Sequence, residues 1–471
     1  MNYRQIRKLI GYVLMFEAGF LLIPCLVAAV YREQEGWWYL FTAALCLVLG
    51  RLLSLKKNEN QVFYAKDGFV TVALSWIVIS VFGALPFTLC GDIPDYLDAL
   101  FETVSGFTTT GSSILTNVEA LSRTSLMWRS FTHWVGGMGV LVFLLAIVPL
   151  AGGHNMHLMR AESPGPSVGK LVPRLKDTAT ILYIIYFAMT MLELVLLLFA
   201  GMPLFDSFAT AFGTAGTGGF GIKNDSFASY TSLQQMITAV FMVLFGVNFN
   251  AYFFLLGKNK KEAFRIEEVR WYFGIVAAAT VLIAFMVGSF RDAFFQVASI
   301  ITTTGFATAD FNQWPQTCRI LLVGIMFIGA CAGSTGGGIK VSRILLALKD
   351  VRRETRHFIH PRIVQAVTLD GKAVDKDTLH GVGRYILTYI LIFVISVFIV
   401  SFNNLDFETT VTSVVATLNN IGPGLSLVGP AGNFSMLSPL SKVVLMFDML
   451  AGRLELFPML LVILPSVWRR K

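Results

Sequence analysis

The feature that most constrains this chain is a stretch written twice. Ser105-Gly106-Phe107-Thr108-Thr109-Thr110-Gly111 returns as Ser299-Ile300-Ile301-Thr302-Thr303-Thr304-Gly305. Two fainter echoes are Gly216-Thr217-Gly218-Gly219 and Asn420-Ile421-Gly422-Pro423. Gly111, Gly218, Gly305 and Gly422 are read as equivalent. An acid precedes each: Asp98, Asp206, Asp292 and Glu408, by subtraction 13, 12, 13 and 14 residues upstream. An apolar run of about three helical turns follows each acid. An acid in a first turn suits the positive end of a helix. The sequence therefore predicts four copies of one unit, a short helix followed by a polar, glycine-bearing loop.

Composition places these loops. Hydrophobic residues are 55%, charged residues 14%, and the mean hydropathy is +0.67. A soluble domain carries nearer ~25% charge, so the chain reads as an all-α polytopic membrane protein. Ten stretches are apolar enough to span: 9–30, 37–55, 69–90, 126–150, 178–201, 232–256, 271–289, 316–346, 383–402 and 437–465. The first two enclose no glycine loop; the other eight form four pairs, each enclosing one unit. The expected division is 1–67 for two extra N-terminal helices, then 68–150, 151–257 and 258–346 for three pore repeats. A cytoplasmic segment at 347–382 and a fourth repeat at 383–471 complete it.

Charge supports this plan. With the N-terminus inside, the inner segments hold 29 of the 37 Lys and Arg residues, which is the positive-inside pattern. A nucleic-acid surface is the alternative for so basic a chain, and no nucleic-acid partner is expected. Acids outnumber bases on the outer side, which favours cations at that mouth. The five cysteines are scattered and form no CxxC, so neither a disulfide framework nor a zinc site is expected. The stretch after Arg4, Arg7 and Lys8 reads as a first span and not a removed signal peptide.

Irregular backbone is costly in lipid unless it is buried or lines water. Extended loops can set carbonyl oxygens along an axis, with glycine allowing the turns this needs. Four such loops replace the hydration shell of a cation, and threonine hydroxyls can add oxygen ligands. The bland reading is small-residue helix packing; four matched units outweigh it.

SGFTTTG, STGGGIK and the closing LAGRLELFP resemble the Trk/Ktr/HKT superfamily of cation transporters, most of all its TrkH-type potassium-uptake branch, over the whole chain. The resemblance implies four M1–P-loop–M2 repeats around one pore, plus two leading helices. It implies a potassium filter at Thr109, Thr110, Gly111, Thr217, Gly218, Thr303, Thr304, Gly305, Asn420, Ile421 and Gly422. In plant relatives, serine at the first glycine goes with sodium transport; four glycines here imply potassium. Asn420-Ile421-Gly422-Pro423 departs from the threonine pattern and makes the filter asymmetric.

Residues 329–340, GACAGSTGGGIK, cannot hold a helix well at ~1 kcal/mol per glycine, and a break is expected there. The run mimics a P-loop, but Ile339 separates Gly338 from Lys340 and no strand precedes it. The resemblance implies a gate at Gly333, Ser334, Thr335, Gly336, Gly337 and Gly338, with Lys340 opening the cytoplasmic side. Arg453 lies mid-span, where a charge is a functional hypothesis by default; an ion pair with Asp448, Glu455 or Glu193 is the structural alternative. The resemblance implies a positive barrier below the filter.

Two basic segments are expected in the cytoplasm. One carries Arg352, Arg353, Arg356, His357, His360 and Arg362, the other His154, His157, Arg160, Lys170, Arg174 and Lys176. The resemblance implies a homodimer in the bacterial inner membrane, docked on a cytosolic nucleotide-binding (NAD/ATP) ring. No cofactor is expected beyond the transported potassium ion. Two rivals stand beside this reading. One is an ion-coupled symporter with broken helices. The other is a membrane enzyme, for which no HExxH, GxSxG or paired His–Cys is present.

Overall fold

A chain that crosses hydrocarbon must satisfy its backbone internally, and helices do so within each segment. The computed structural model describes residues 1–55, 64–151, 175–257, 260–362 and 365–468. Helices α1 (Tyr3–Phe20) and α2 (Leu22–Tyr31) run almost continuously and pack on α3 (Gly36–Ser54). Glycines allow that close approach: a Cβ on Gly11 or Gly50 would lie 2.6 Å from the other's carbonyl oxygen.

The rest of the chain alternates long and short helices. The order is α4 (Ala65–Cys90), α5 (Tyr96–Phe107), α6 (Arg123–Ala151), α7 (Leu175–Phe199), α8 (Leu204–Gly216) and α9 (Ser232–Phe245). It continues with α10 (Phe249–Leu256), α11 (Lys260–Arg265), α12 (Glu267–Val287), α13 (Phe290–Ile301), α14 (Gln316–Ile328) and α15 (Val341–Ile359). A two-stranded antiparallel ribbon follows, β1 (Thr368–Leu369) against β2 (Lys372–Ala373). Its turn residues, Asp370 and Gly371, both have positive φ, the geometry that tight hairpins favour. Then come α16 (Lys376–Val400), α17 (Phe407–Leu418), α18 (Pro439–Arg453), α19 (Phe457–Ile463) and α20 (Pro465–Trp468).

Among the described residues, six helices are long and apolar enough to cross a membrane, and α9 with α10 makes a seventh if counted as one span. The protein is a multi-pass membrane protein. Large side chains such as Phe199, Phe285 and Phe398 are exposed on these helices, as lipid-facing surface requires.

Three expected spans are not straight helices. The 232–256 span bends by 91° between Phe245 and Phe249. The 316–346 span stops at Ile328 and resumes at Val341. The 437–465 span breaks after Arg453, where Glu455 and Leu456 both take positive φ.

The short helices α5, α8, α13 and α17 begin around the four acids. Asp98, Asp206, Asp292 and Glu408 all fall in first turns. Neighbouring side chains cap three of them: Asp95 accepts from the Leu97 amide at 2.7 Å, Ser289 from Asp292 at 3.3 Å and Asp406 from Thr409 at 2.8 Å.

Candidate selectivity filter and gate

Each short helix ends in the same backbone gesture. A residue in the left-handed region comes first: Thr109 (φ 54°), Thr217 (54°), Thr303 (58°) and Asn420 (55°). Two residues later stands a glycine with positive φ: Gly111 (84°), Gly219 (79°), Gly305 (89°) and Gly422 (98°). Such φ values favour glycine. The equivalent glycine of the second repeat is therefore Gly219 and not Gly218, which moves the sequence register by one. By subtraction Asp206 then lies 13 residues upstream, as Asp98 and Asp292 do in their repeats. Adjacent glycines look alike in sequence; only the backbone separates them.

The four loops close into a ring. A Cβ on Gly111 would run into the carbonyl oxygen of Gly218, and one on Gly219 into that of Thr304. A Cβ on Gly305 would meet the Ile421 oxygen, and one on Gly422 the Thr110 oxygen at 2.9 Å. Each glycine thus abuts the next loop, in the order one, two, three, four, one. Among the described residues no backbone N–H donates to the carbonyls of Thr110, Gly218, Thr304 or Ile421. The helices end at Phe107, Gly216, Ile301 and Leu418, so the negative ends of four dipoles converge on the ring.

The threonine hydroxyls are largely engaged with the protein. Thr108 and Thr110 share a hydrogen bond at 2.8 Å, Thr302 and Thr304 one at 2.7 Å. In the fourth repeat, Asn420 Nδ2 donates to Thr110 Oγ1 at 2.8 Å and to the Met449 carbonyl at 2.9 Å. Asparagine thus ties loop four to loop one.

A second set of groups holds the outer halves of the loops. Glu102, Gln296 and Thr412 each stand four residues after an acid. Gln296 reaches the Ala309 carbonyl at 3.2 Å, and Thr412 Oγ1 accepts from the Leu425 amide at 2.8 Å. Glu102 accepts from Ser113 Oγ at 3.0 Å and from the Ile114 amide at 3.1 Å, and it pairs with Arg129 at 2.7 Å. These two side chains are 0% and 2% exposed. Arg129 also donates to the Gly221 carbonyl at 3.1 Å and covers the Phe220 ring at 4.1 Å. Beside it, His133 Nε2 accepts from the Phe220 amide at 3.3 Å. One buried ion pair thus braces loops one and two.

Sequence reasoning missed Glu102, Arg129 and His133. Arg129 lies within the predicted 126–150 span, and a charge inside a span is the signal that singles out Arg453. Two of the four acids at the helix starts are likewise engaged across repeats: Asp98 pairs with Lys442 and Glu408 with Arg319.

The break from Gly329 to Lys340 lies against the inner ends of the short helices. The Gly337 amide donates to Thr303 Oγ1 at 2.6 Å and the Gly338 amide to the Asn419 carbonyl at 3.1 Å. A Cβ on Gly336 would lie 2.8 Å from the Thr302 oxygen. Neighbouring helices and the loop itself hold the rest. The Phe249 amide donates to the Gly333 carbonyl at 3.0 Å, Ser334 Oγ donates to the Cys331 carbonyl at 2.6 Å, and Thr335 Oγ1 donates to the Phe245 carbonyl at 3.3 Å.

Two cations cap this loop. Arg453 donates to the carbonyls of Thr335 at 2.7 Å and Gly136 at 2.8 Å, tying the loop to α6. Glu455 pairs with Arg343, and Asp448 accepts from Ser396 at 2.8 Å. Lys340 is 4% exposed, and its ammonium turns back to the Gly336 carbonyl. Lys340 is part of the loop's own support.

The basic side chains are split. Arg352, Arg353, Arg356 and His357 ride on α15, with His360 at its cap and Arg362 just beyond. His154, His157, Arg160, Lys170 and Arg174 lie outside the described residues, and Lys176 belongs to α7.

Known proteins share this architecture. A profile of the TrkH family, described as cation transport protein, matches residues 39–288 and 280–469. The "Trk system potassium uptake protein TrkH" of Salmonella typhimurium is 37% identical over 485 residues, covering 100% of both chains. The protein of that name from Escherichia coli K12 matches equally well. The crystal structure of the potassium transporter TrkH from Vibrio parahaemolyticus superimposes with a TM-score of 0.89 at 32% identity, covering 100% of both chains. The chain belongs to the TrkH family of cation transport proteins.

Proposed function

We propose that this chain forms a potassium-selective, channel-like pathway across the bacterial inner membrane, with both termini in the cytoplasm. The observation that carries the reading is the ring of four glycine-bearing loops, in which the carbonyls of Thr110, Gly218, Thr304 and Ile421 meet no backbone amide among the described residues. Carbonyls held this way substitute for the hydration shell of a dehydrated cation. The filter groups are the backbone oxygens at Thr109, Thr110, Gly111, Thr217, Gly218, Gly219, Thr303, Thr304, Gly305, Asn420, Ile421 and Gly422. The gate is the loop of Gly333–Gly338 with Lys340 and Arg453. The potassium named in its relatives' descriptions supports the choice of ion. A homodimer and a cytosolic nucleotide-binding (NAD/ATP) ring belong to the same proposal; the exposed arginines of α15 offer such a ring a basic surface.

The test is cation flux into liposomes with potassium, rubidium, sodium and lithium compared. Potassium and rubidium are expected to pass far faster than sodium and lithium. Equal rates for all four would overturn the reading. Ion-coupled symport is the second reading. Buried carboxyls at Glu193 and Asp448 within the spans favour it, because a coupled proton needs such a site. Potassium uptake against its own gradient, driven by an imposed pH gradient, would establish it.

A further inference from the structure

An apolar cavity of about 440 Å³ opens beside the bend between α9 and α10. Leu244, Val247, Ala251 and Tyr252 line one side, Phe264 and Phe273 the other. Arg270 is the charged residue of this lining, and it also borders a second pocket with Glu267 and Trp271. Lys260, Lys261 and Arg265 lie on the adjoining α11. The nearby acids are engaged: Glu262 with Arg265 at 3.2 Å and Glu267 with Lys349 at 2.6 Å. Arg270 is exposed and enters no ion pair among the described residues. Trp271 is 52% exposed, and Phe264 is 71% exposed, as suits side chains at a membrane interface.

From these features we infer that the cavity holds an acyl chain of an anionic phospholipid, its phosphate resting on Arg270 with the α11 bases around it. An apolar slot with an unpaired guanidinium at its mouth complements that amphiphile, and basic pockets between helices on the cytoplasmic side take such headgroups. The inference rests on the proposed orientation, which puts α11 at the cytoplasmic leaflet.

The cavity wall is also the gate's support. Val247 adjoins Gly246 and Asn248 in the bend, and the Cys331 amide donates to the Gly246 carbonyl at 3.1 Å. On the opposite wall, Val269 follows Glu268. That carboxylate accepts from the amides of Ala332 at 2.6 Å and Ser342 at 3.0 Å. An occupant between the two walls sets their separation and hence the seat of the loop. The lipid therefore controls how often the gate opens and leaves ion preference alone.

The experiment pairs native mass spectrometry with flux in phosphatidylethanolamine vesicles, with and without phosphatidylglycerol. The parent is expected to retain phosphatidylglycerol and to change its rubidium flux when that lipid is added. Arg270→Gln should weaken retention about fivefold, the effect of one base at an anionic surface, and lose the flux response. Arg270→Lys should keep both, and Ala251→Leu, which fills the slot, should lose both. Unchanged retention in Arg270→Gln and Ala251→Leu overturns the inference. So does a second copy of the chain filling the slot, seen as dimers that Ala251→Leu dissociates while the lipid response persists. A chain that binds the lipid through Arg270 but conducts no potassium would fail the proposed function and not the lipid site.

Discussion

The ring and the loop beneath it are both glycine-rich backbone within a membrane protein, yet they treat their polar groups in opposite ways. In the ring, side chains such as Thr108, Glu102 and Asn420 take up the holding bonds, and among the described residues the carbonyls of Thr110, Gly218, Thr304 and Ile421 meet no backbone donor. In the loop, the backbone itself is consumed: the Gly337 and Gly338 amides and the Gly333, Thr335 and Gly336 carbonyls all have partners. Backbone that serves a ligand must be braced from outside. On the proposed reading the loop blocks a path, and its backbone is tied mostly to neighbouring elements, so releasing a few of those bonds would free it.

The contrast can be broken most severely at the brace. Arg129→Ala strands a buried Glu102 carboxylate, and losing one partner of a buried pair costs about 3–5 kcal/mol. The protein is expected to lose much of its folded yield, and whatever folds should discriminate poorly between potassium and sodium. Wild-type yield and selectivity would show that the pair does not hold the ring. The register is tested next. Gly219→Ser must place a side chain at positive φ against the Thr304 carbonyl, and Gly111→Ser one against the Gly218 carbonyl, so both should loosen potassium-over-sodium discrimination. Permeability ratios matching the parent's in both folded variants would deny the ring its role.

Smaller effects should fall on the loop alone. Arg453→Ala removes two charge-assisted hydrogen bonds, each worth about 1.5–3 kcal/mol, and also a positive charge. Potassium flux should rise about tenfold or more, at 1.4 kcal/mol per decade, with ion ratios unchanged. Arg453→Lys keeps the charge but not the two-pronged tether. Parent-like flux in it would assign the effect to charge; alanine-like flux would assign it to the tether. The mildest change is Thr303→Val, which takes the acceptor from the Gly337 amide at the junction of the two regions. Leaving that donor without its partner costs about 1–3 kcal/mol, so a modest rise in flux is expected without a change in ion ratios. A change in selectivity larger than the change in flux would mean that ring and loop are not separable in this way.

Much of this was written in the sequence, for physical reasons. The four short helices were legible because an acid, three apolar turns and a glycine each mark a different part of one unit. The break after Ile328 was legible because glycines oppose helix. The register of the second loop was not, since Gly218 and Gly219 are told apart only by their φ and their neighbours in space. Neither was the break after Arg453, where Glu455 and Leu456 adopt a conformation that their side chains disfavour. Glu102 and Arg129 are 27 residues apart, so local pattern could not pair them. A lysine after an apolar stretch usually marks a membrane boundary, so nothing in the sequence signals that the Lys340 side chain folds back into the protein.

The tether from Arg453 to Gly136 joins residues 317 positions apart, which sets an order of assembly. A ribosome works from the N-terminus, so Gly333–Gly338 emerge before Asn419 and Arg453, their later partners, have been made. Until then the loop lacks several of the bonds it needs in hydrocarbon, where each unsatisfied group costs several kcal/mol. The unfinished chain must therefore keep this stretch in water, or in the shelter of the insertion machinery, while the fourth repeat is threaded. Helix α18 works as a latch, and nascent chains cut short before Arg453 should be the ones that quality control removes.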